Sequence, residues 1–141
     1  MDINQLKKLI PKDKFDFEPL PTLMEISEDD VKPILRDLLF CLADINWPIA
    51  SKMIPVLLRF PDSIVPVIRD VLNPTEEDVI WKYFIIANFI RKLPRESQNL
   101  LLEDIKRIQN NPTRSELSEF VWEMANDYMN EYEAEISNEE K

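Results

Sequence analysis

The chain of 141 residues contains no glycine and no histidine, and it has a single cysteine, Cys41. Without glycine it cannot form the glycine-rich loops that bind phosphates and dinucleotides. Without histidine it cannot form Ser-His-Asp or Cys-His catalytic arrangements, and most zinc sites are excluded as well. One cysteine forms no internal disulfide, and its place in the apolar run LLFCLA predicts a buried thiol rather than a nucleophile.

Negative charge dominates the composition, with 27 acidic and 17 basic residues and a net charge of −10. A phosphate backbone or an acidic membrane would repel such a surface, so we expect neither nucleic-acid binding nor membrane binding. A basic protein partner would be attracted, mainly through a faster association rate. The alternative is that the charge only maintains solubility, and the composition leaves both open.

No apolar run approaches the roughly 20 residues that a membrane-spanning helix needs. The longest, VIWKYFIIANFI, has twelve residues and includes Lys82 and Asn88. The start, MDINQLKKLI, lacks the long apolar core of a signal peptide. We therefore expect a cytoplasmic protein of bacterial type.

Apolar residues recur at helical spacing along the chain, and strand-like alternation is absent. Ser27 is a predicted N-cap, and Thr113 with Glu116 has the spacing of a capping box. Asn73 and Asn111 precede prolines and are predicted helix ends, in place of the usual glycine. The last apolar series is predicted to run as one helix after Thr113.

An internal repeat relates three parts of the sequence. Its markers are Pro33 with Pro66, Arg36-Asp37 with Arg69-Asp70, and an acidic residue three positions before a tryptophan in Asp44–Trp47, Asp78–Trp81 and Glu119–Trp122. Each unit is predicted to be a helical hairpin with a short acidic turn. Since one hairpin cannot bury its apolar face alone, neighbouring hairpins must stack.

This pattern resembles HEAT-type repeats. More specifically, the segments LIPKDKFDFE (9–18), NWPIA (46–50), WKY (81–83) and NNPT (110–113) resemble a small bacterial family of HEAT-like domains of unknown function. The resemblance implies a fold, but no activity and no site residues.

The predicted fold is all-α: a short right-handed α-solenoid of about three HEAT-like hairpins. A single domain is predicted over 1–132, with N-terminal capping helices in 1–26, hairpins at about 27–60, 63–93 and 95–132, and an acidic, frayed tail at 133–141.

The three repeated tryptophans have two interpretations. They could be wedges between stacked hairpins, or they could form a row on a concave surface that binds a partner. Lys52 and Lys82 lie beside them and are predicted to be solvated surface residues. The candidate partner-binding residues are Asp44, Asn46, Trp47, Lys52, Asp78, Trp81, Lys82, Glu119 and Trp122.

Two acidic clusters, SEDD (27–30) and TEED (75–78), could bind a divalent cation or act as acid and base. Their position at helix starts is better explained by the helix dipole. The predicted function is therefore a non-enzymatic protein-interaction module without metal or cofactor, which could be an immunity-type inhibitor of a basic partner such as a toxin domain. The alternatives are a carboxylate-based enzyme on a HEAT-like scaffold and a homo-oligomeric scaffold subunit. We expect a monomer or weak homo-oligomer.

Overall fold

Helices joined by short 3-10 turns and loops make up the computed structural model, which describes residues 1–139. The α-helices are α1 (Ile3–Lys7), α2 (Leu20–Leu23), α3 (Glu28–Val31), α4 (Leu35–Leu39), α5 (Pro48–Leu57), α6 (Pro61–Val71), α7 (Val79–Asn88), α8 (Arg95–Asn110), α9 (Arg114–Ser118) and α10 (Val121–Glu139). The 3-10 turns are Lys32–Ile34, Phe40–Leu42 and Ile90–Lys92. The predicted all-α class is confirmed. No helix in this described part has both the length and the apolar character that crossing a membrane requires.

The helix predicted after Ser27 begins at the expected residue, but a 3-10 turn interrupts it. The Ser27 hydroxyl accepts a hydrogen bond from the Asp30 amide at 3.2 Å, which caps α3. The 3-10 turn that contains Pro33 then separates α3 from α4. Proline has no amide hydrogen to donate to the preceding turn, so regular α-helix is interrupted there.

The last predicted helix is divided in two. Thr113 and Glu116 form the predicted capping box at the start of α9. Phe120 then has φ 66°, a left-handed conformation that costs free energy for a bulky side chain, and it separates α9 from α10.

α10 continues through residues 133–139, so the prediction that the chain frays from residue 133 was wrong for this range. Arg95 lies against this part of α10, where its guanidinium pairs with Glu135 at 3.1 Å and Glu139 at 2.8 Å, and Ile136 packs against the core. The last two residues of the predicted tail, 140 and 141, lie outside the described residues.

The first helices of the predicted hairpins pack in succession: α4 contacts α6, and α6 contacts α8. On the other side α7 packs against α10, which also covers α8. One continuous apolar core joins them, from Leu6 near the N-terminus to Tyr132 in α10. The sequential stacking agrees with stacked hairpins, while the handedness and the HEAT-like character stay predictions.

Long side chains from elsewhere in the chain bind the carbonyls at the end of α6, where a glycine would normally allow the backbone to turn back. Arg107 Nη2 donates to the Leu72 carbonyl at 2.6 Å, and Lys82 Nζ donates to the Asn73 carbonyl at 2.9 Å. This helix end is therefore satisfied by tertiary contacts instead of by local turn geometry.

Candidate functional site

An open cavity of about 480 Å³ lies where the N-terminal segment meets the first predicted hairpin. We call it the groove. Its apolar wall is formed by Ile10, Pro11, Phe40, Trp47 and Ile49. Concave, mostly apolar surfaces with a few polar groups are the usual form of binding sites.

A backbone hydrogen bond joins the two sides of the groove, and the turn before Trp47 is held by local hydrogen bonds. The Ile49 amide donates to the Lys14 carbonyl at 3.0 Å, which brings the segments LIPKDKFDFE and NWPIA into contact. The Asp44 carboxylate accepts from the Asn46 amide at 2.9 Å, and the Asp44 carbonyl accepts from the Trp47 amide at 3.0 Å. Asp44 thus forms the turn, whereas the exposed Asn46 side chain caps nothing among residues 1–139.

Phe40 connects two of the repeated tryptophans. Its ring centroid is 6.2 Å from that of Trp47 and 5.1 Å from that of Trp81, in edge-to-face geometry in both cases. Trp81 is buried, and its indole nitrogen donates to the Leu39 carbonyl at 3.1 Å. Trp81 is therefore a structural side chain, while the half-buried Trp47 and the exposed Phe40 face the groove.

The row of three tryptophans, one of the two interpretations of the repeat, does not form, because Trp81 is buried and Trp122 lies away from the groove. Its indole nitrogen donates to the Gln109 carbonyl at 3.0 Å, near the end of α8. In the described part of the chain, the Trp47 indole nitrogen makes no such hydrogen bond. The repeated position thus holds two tryptophans that bind helix carbonyls and one, Trp47, that lines an open cavity.

Lys82 is fully buried, so its prediction as a solvated surface residue was wrong. Its ammonium lies 2.9 Å from Oε2 of Glu116, which is also fully buried, and Arg107 Nη2 lies 2.8 Å from the same oxygen. Burial alone would raise the pKa of Glu116, but hydrogen bonds from Arg107, the Thr113 amide and Lys82 lower it to about 2. This network is a structural element that joins α7, α8 and α9.

The other candidate residues, Asp78, Lys52 and Glu119, each have separate surroundings. The Asp78 carboxylate accepts from the Trp81 amide at 3.2 Å and so caps α7. Lys52 is exposed, and its ammonium lies 5.3 Å from the ring centroid of Phe17. Glu119 is exposed after α9, and within residues 1–139 it makes no hydrogen bond to the amide of the tryptophan that follows it.

Cys41 lies at the inner side of the groove with 8% of its surface exposed, so the predicted buried thiol is confirmed. Burial raises the pKa of Cys41 to about 12, and the nearby negative charge of Asp37 adds to the shift. The thiol is therefore held in its protonated, unreactive form.

The acidic clusters have structural roles at a helix start and in a contact between hairpins. Glu28, Asp29 and Asp30 form the first turn of α3, and Glu76 pairs with Arg36 at 2.8 Å. Among the described residues, no group of three or more cysteine, aspartate and glutamate side chains converges as a metal site would require.

Sequence reasoning missed Asp37 and Phe40 as site residues, although both line the groove. In the sequence, Asp37 stands out only as a marker of the repeat. Phe40 lies in the apolar run LLFCLA, yet it is 45% exposed. The available signal was the repeat itself, since Asp37 is the first of its aligned aspartates.

A family model described as "Domain of unknown function (DUF5071)" matches residues 9–129. Because the match covers most of the chain, the chain belongs to this family. None of the curated proteins matches the chain.

Proposed function

We propose that this member of the family is a non-enzymatic protein-binding module, built from HEAT-like hairpins, that binds a basic protein through the groove. The observation that carries the proposal is an open, apolar groove with two aromatic side chains, Phe40 and Trp47, on a protein of net charge −10. Aromatic side chains in partly enclosed apolar surroundings are enriched among the residues that dominate binding energy at interfaces.

The aromatic surface continues beyond the groove along the N-terminal segment. Phe15 is 62% exposed and Phe17 is 37% exposed. Both follow directly on the stretch 10–14 that forms one side of the groove. Several large apolar side chains left in solvent next to one cavity support a contact surface for another protein.

Charge supports a basic partner. α10 contains no lysine or arginine. Acidic residues recur at every fourth position along it: Glu123, Asp127, Glu131, Glu135 and Glu139. Arg91 and Arg95 pair with the last three, and the remaining two contribute to an acidic surface. Such a field accelerates encounters with a basic protein and loses its effect at high salt.

A finer form of the proposal is that binding blocks the partner's own activity, as an immunity-type inhibitor of a toxin does in the bacterial cytoplasm. Size and charge support it, because a small acidic protein can cover a basic surface that acts on anionic substrates.

Comparative affinity capture tests the proposal. The wild-type protein, Trp47→Ala and the control Phe120→Ala are immobilised and exposed to the same native lysate at low salt. Phe120 is 64% exposed and lies away from the groove lining, so it controls for loss of an exposed aromatic side chain. We expect wild type and Phe120→Ala to retain the same basic proteins and Trp47→Ala to lose them. Equal retention by all three proteins, with circular dichroism showing Trp47→Ala folded, would contradict the groove as the binding surface.

A further inference from the structure

Arginine–aspartate pairs link each predicted hairpin to the next. Arg36 Nη1 lies 3.1 Å from Asp70 Oδ2, and Arg69 Nε lies 3.3 Å from Asp104 Oδ2. Arg36 and Arg69 occupy equivalent repeat positions, and so do Asp70 and Asp104. The arginine of one hairpin therefore pairs with the aspartate of the hairpin that follows.

The site that holds Arg36 is the best defined of these. The guanidinium carbon lies 5.2 Å from the ring centroid of Trp81, and the nitrogens bind Asp70 and, at 2.8 Å, Glu76. A guanidinium is thus held between an indole face and carboxylates that all come from the following hairpin. Arginine suits such a site, because its planar fork stacks on aromatic rings and pairs with carboxylates together.

The same two repeat positions in the first hairpin are Asp37, equivalent to Asp70, and Trp47, equivalent to Trp81. Residues 1–26, which come before this hairpin in the sequence, contain no arginine. Both side chains line the groove, beside Phe40. Among residues 1–139 no lysine or arginine pairs with Asp37, whereas Asp70 and Asp104 are both paired.

We propose that the groove binds an arginine side chain of the basic partner, with its guanidinium against Trp47 and Phe40 and paired with Asp37. This inference rests on the proposed function and specifies its central contact. The partner's arginine takes the place that Arg36 occupies at the next hairpin. The apolar stem of the side chain contacts Ile10 and Ile49 in the groove wall.

Two carboxylates and two lysines line the groove, so its lining has no net charge and a cationic guest would depend on local contact with Asp37. The second carboxylate is Asp13, which accepts a hydrogen bond from the Phe15 amide, and the lysines are Lys12 and Lys14. The Lys14 ammonium is directed to the ring of Phe15, 5.4 Å from its centroid, and not to Asp37. The lysines favour a delocalised guanidinium held by stacking over a compact ammonium held by charge alone.

The groove does not suit a second copy of the chain. If copies stacked head to tail, the third hairpin of one copy would precede the first hairpin of the next. The third hairpin has Glu103 at the position of Arg36 and Arg69, so a carboxylate would face Asp37. Like charges placed opposite each other disfavour that assembly.

Nuclear magnetic resonance on the intact, ¹⁵N-labelled protein tests the inference with Nα-acetyl-arginine amide as the probe. The three indole N–H signals, assigned with Trp→Phe variants, are separate reporters. Those of Trp81 and Trp122 are bound to carbonyls and serve as internal references. We expect the Trp47 signal to shift saturably and the other two to move little.

The matched variants are Asp37→Asn and the exposed control Asp62→Asn at the start of α6. We expect Asp37→Asn to weaken arginine binding on the order of tenfold, as loss of a charged hydrogen-bond partner does, and Asp62→Asn to leave it unchanged. Equal binding of the acetyl-lysine or acetyl-leucine amide, an unmoved Trp47 signal, or no effect of Asp37→Asn would each overturn the inference. So would a Trp47 shift caused only by raising the protein concentration, which would identify a second copy as the occupant. The affinity capture with Trp47→Ala and Phe120→Ala tests the proposed function separately, and its outcome does not depend on these results.

Discussion

The guanidinium of Arg36 lies over the indole ring of Trp81, 5.2 Å from its centroid, and joins the first predicted hairpin to the second. The same guanidinium pairs with two carboxylates of the second hairpin. One side chain of α4 therefore makes a stacking contact with α7 and ion pairs with α6 and with the loop between them.

We expect Arg36→Ala to lower the free energy of unfolding by about 1–2 kcal/mol, the combined size of one exposed cation–π contact and two exposed ion pairs. Urea denaturation followed by circular dichroism measures this. Lys32→Ala is the control, because Lys32 pairs only locally with Asp29 and at 3.5 Å. If Arg36→Ala costs no more than Lys32→Ala, the contact with Trp81 does not stabilise the stack.

Glu116→Gln should destabilise the protein much more, by about 3–5 kcal/mol, because it leaves the buried Lys82 and the Arg107 guanidinium without their carboxylate. Glu123→Gln is the control, since Glu123 is an exposed glutamate on α10. The same urea titration compares the two. Similar midpoints for both variants would show that the buried network adds nothing to stability.

The lowered pKa of Glu116 also predicts that the fold loses stability in acid. Its pKa falls from 4.5 to about 2 in the folded protein, so the folded state binds its proton less readily than the unfolded state does. The stabilisation is therefore complete above about pH 4.5 and is lost as the pH falls toward 2. Unfolding titrations at several pH values between these limits compare wild type with the double variant Lys82→Met/Glu116→Gln, which lacks this carboxylate. The stability of the variant should fall less steeply with decreasing pH than that of wild type. A slope equal to that of wild type would contradict the assignment.

Cys41 should react slowly with a thiol reagent such as 5,5′-dithiobis(2-nitrobenzoate). A pKa of about 12 leaves far less thiolate at pH 8 than an ordinary cysteine has, so we expect the rate to fall by roughly a hundredfold or more relative to the protein in concentrated urea. Stopped-flow absorbance measures both rates. A folded-state rate close to that in urea would show that the inner side of the groove is open to solvent and its thiol unperturbed.

Local sequence patterns predicted the helical class, the Ser27 cap and the Thr113–Glu116 capping box, because each of these depends on residues a few positions apart. The break at Phe120 was not predictable, since no glycine or proline marks it. The burial of Lys82 was missed for another reason: its carboxylate partner lies 34 residues away.

The candidate site, like the fold, was predictable from the sequence only in part. Trp47 was identified through the repeat, but the same reasoning gave Trp81 and Trp122 equal weight. What distinguishes them is tertiary: two indoles donate hydrogen bonds to carbonyls of α4 and α8, and the third makes no such bond within the described residues. Asp37 was visible as a repeated aspartate, but the reason for proposing an arginine beside it, the pairing of Asp70 with Arg36, is a tertiary contact.

The most direct test of the account is site-specific photo-crosslinking from inside the groove. The photoreactive amino acid p-benzoylphenylalanine replaces Phe40 in one protein and Phe120 in the other, and each protein is irradiated in the cell that produces it. The account predicts that position 40 crosslinks to a basic protein through a peptide that contains arginine, and that position 120 does not. Crosslinks to the same proteins from both positions, or none from position 40, would contradict the groove as the binding surface.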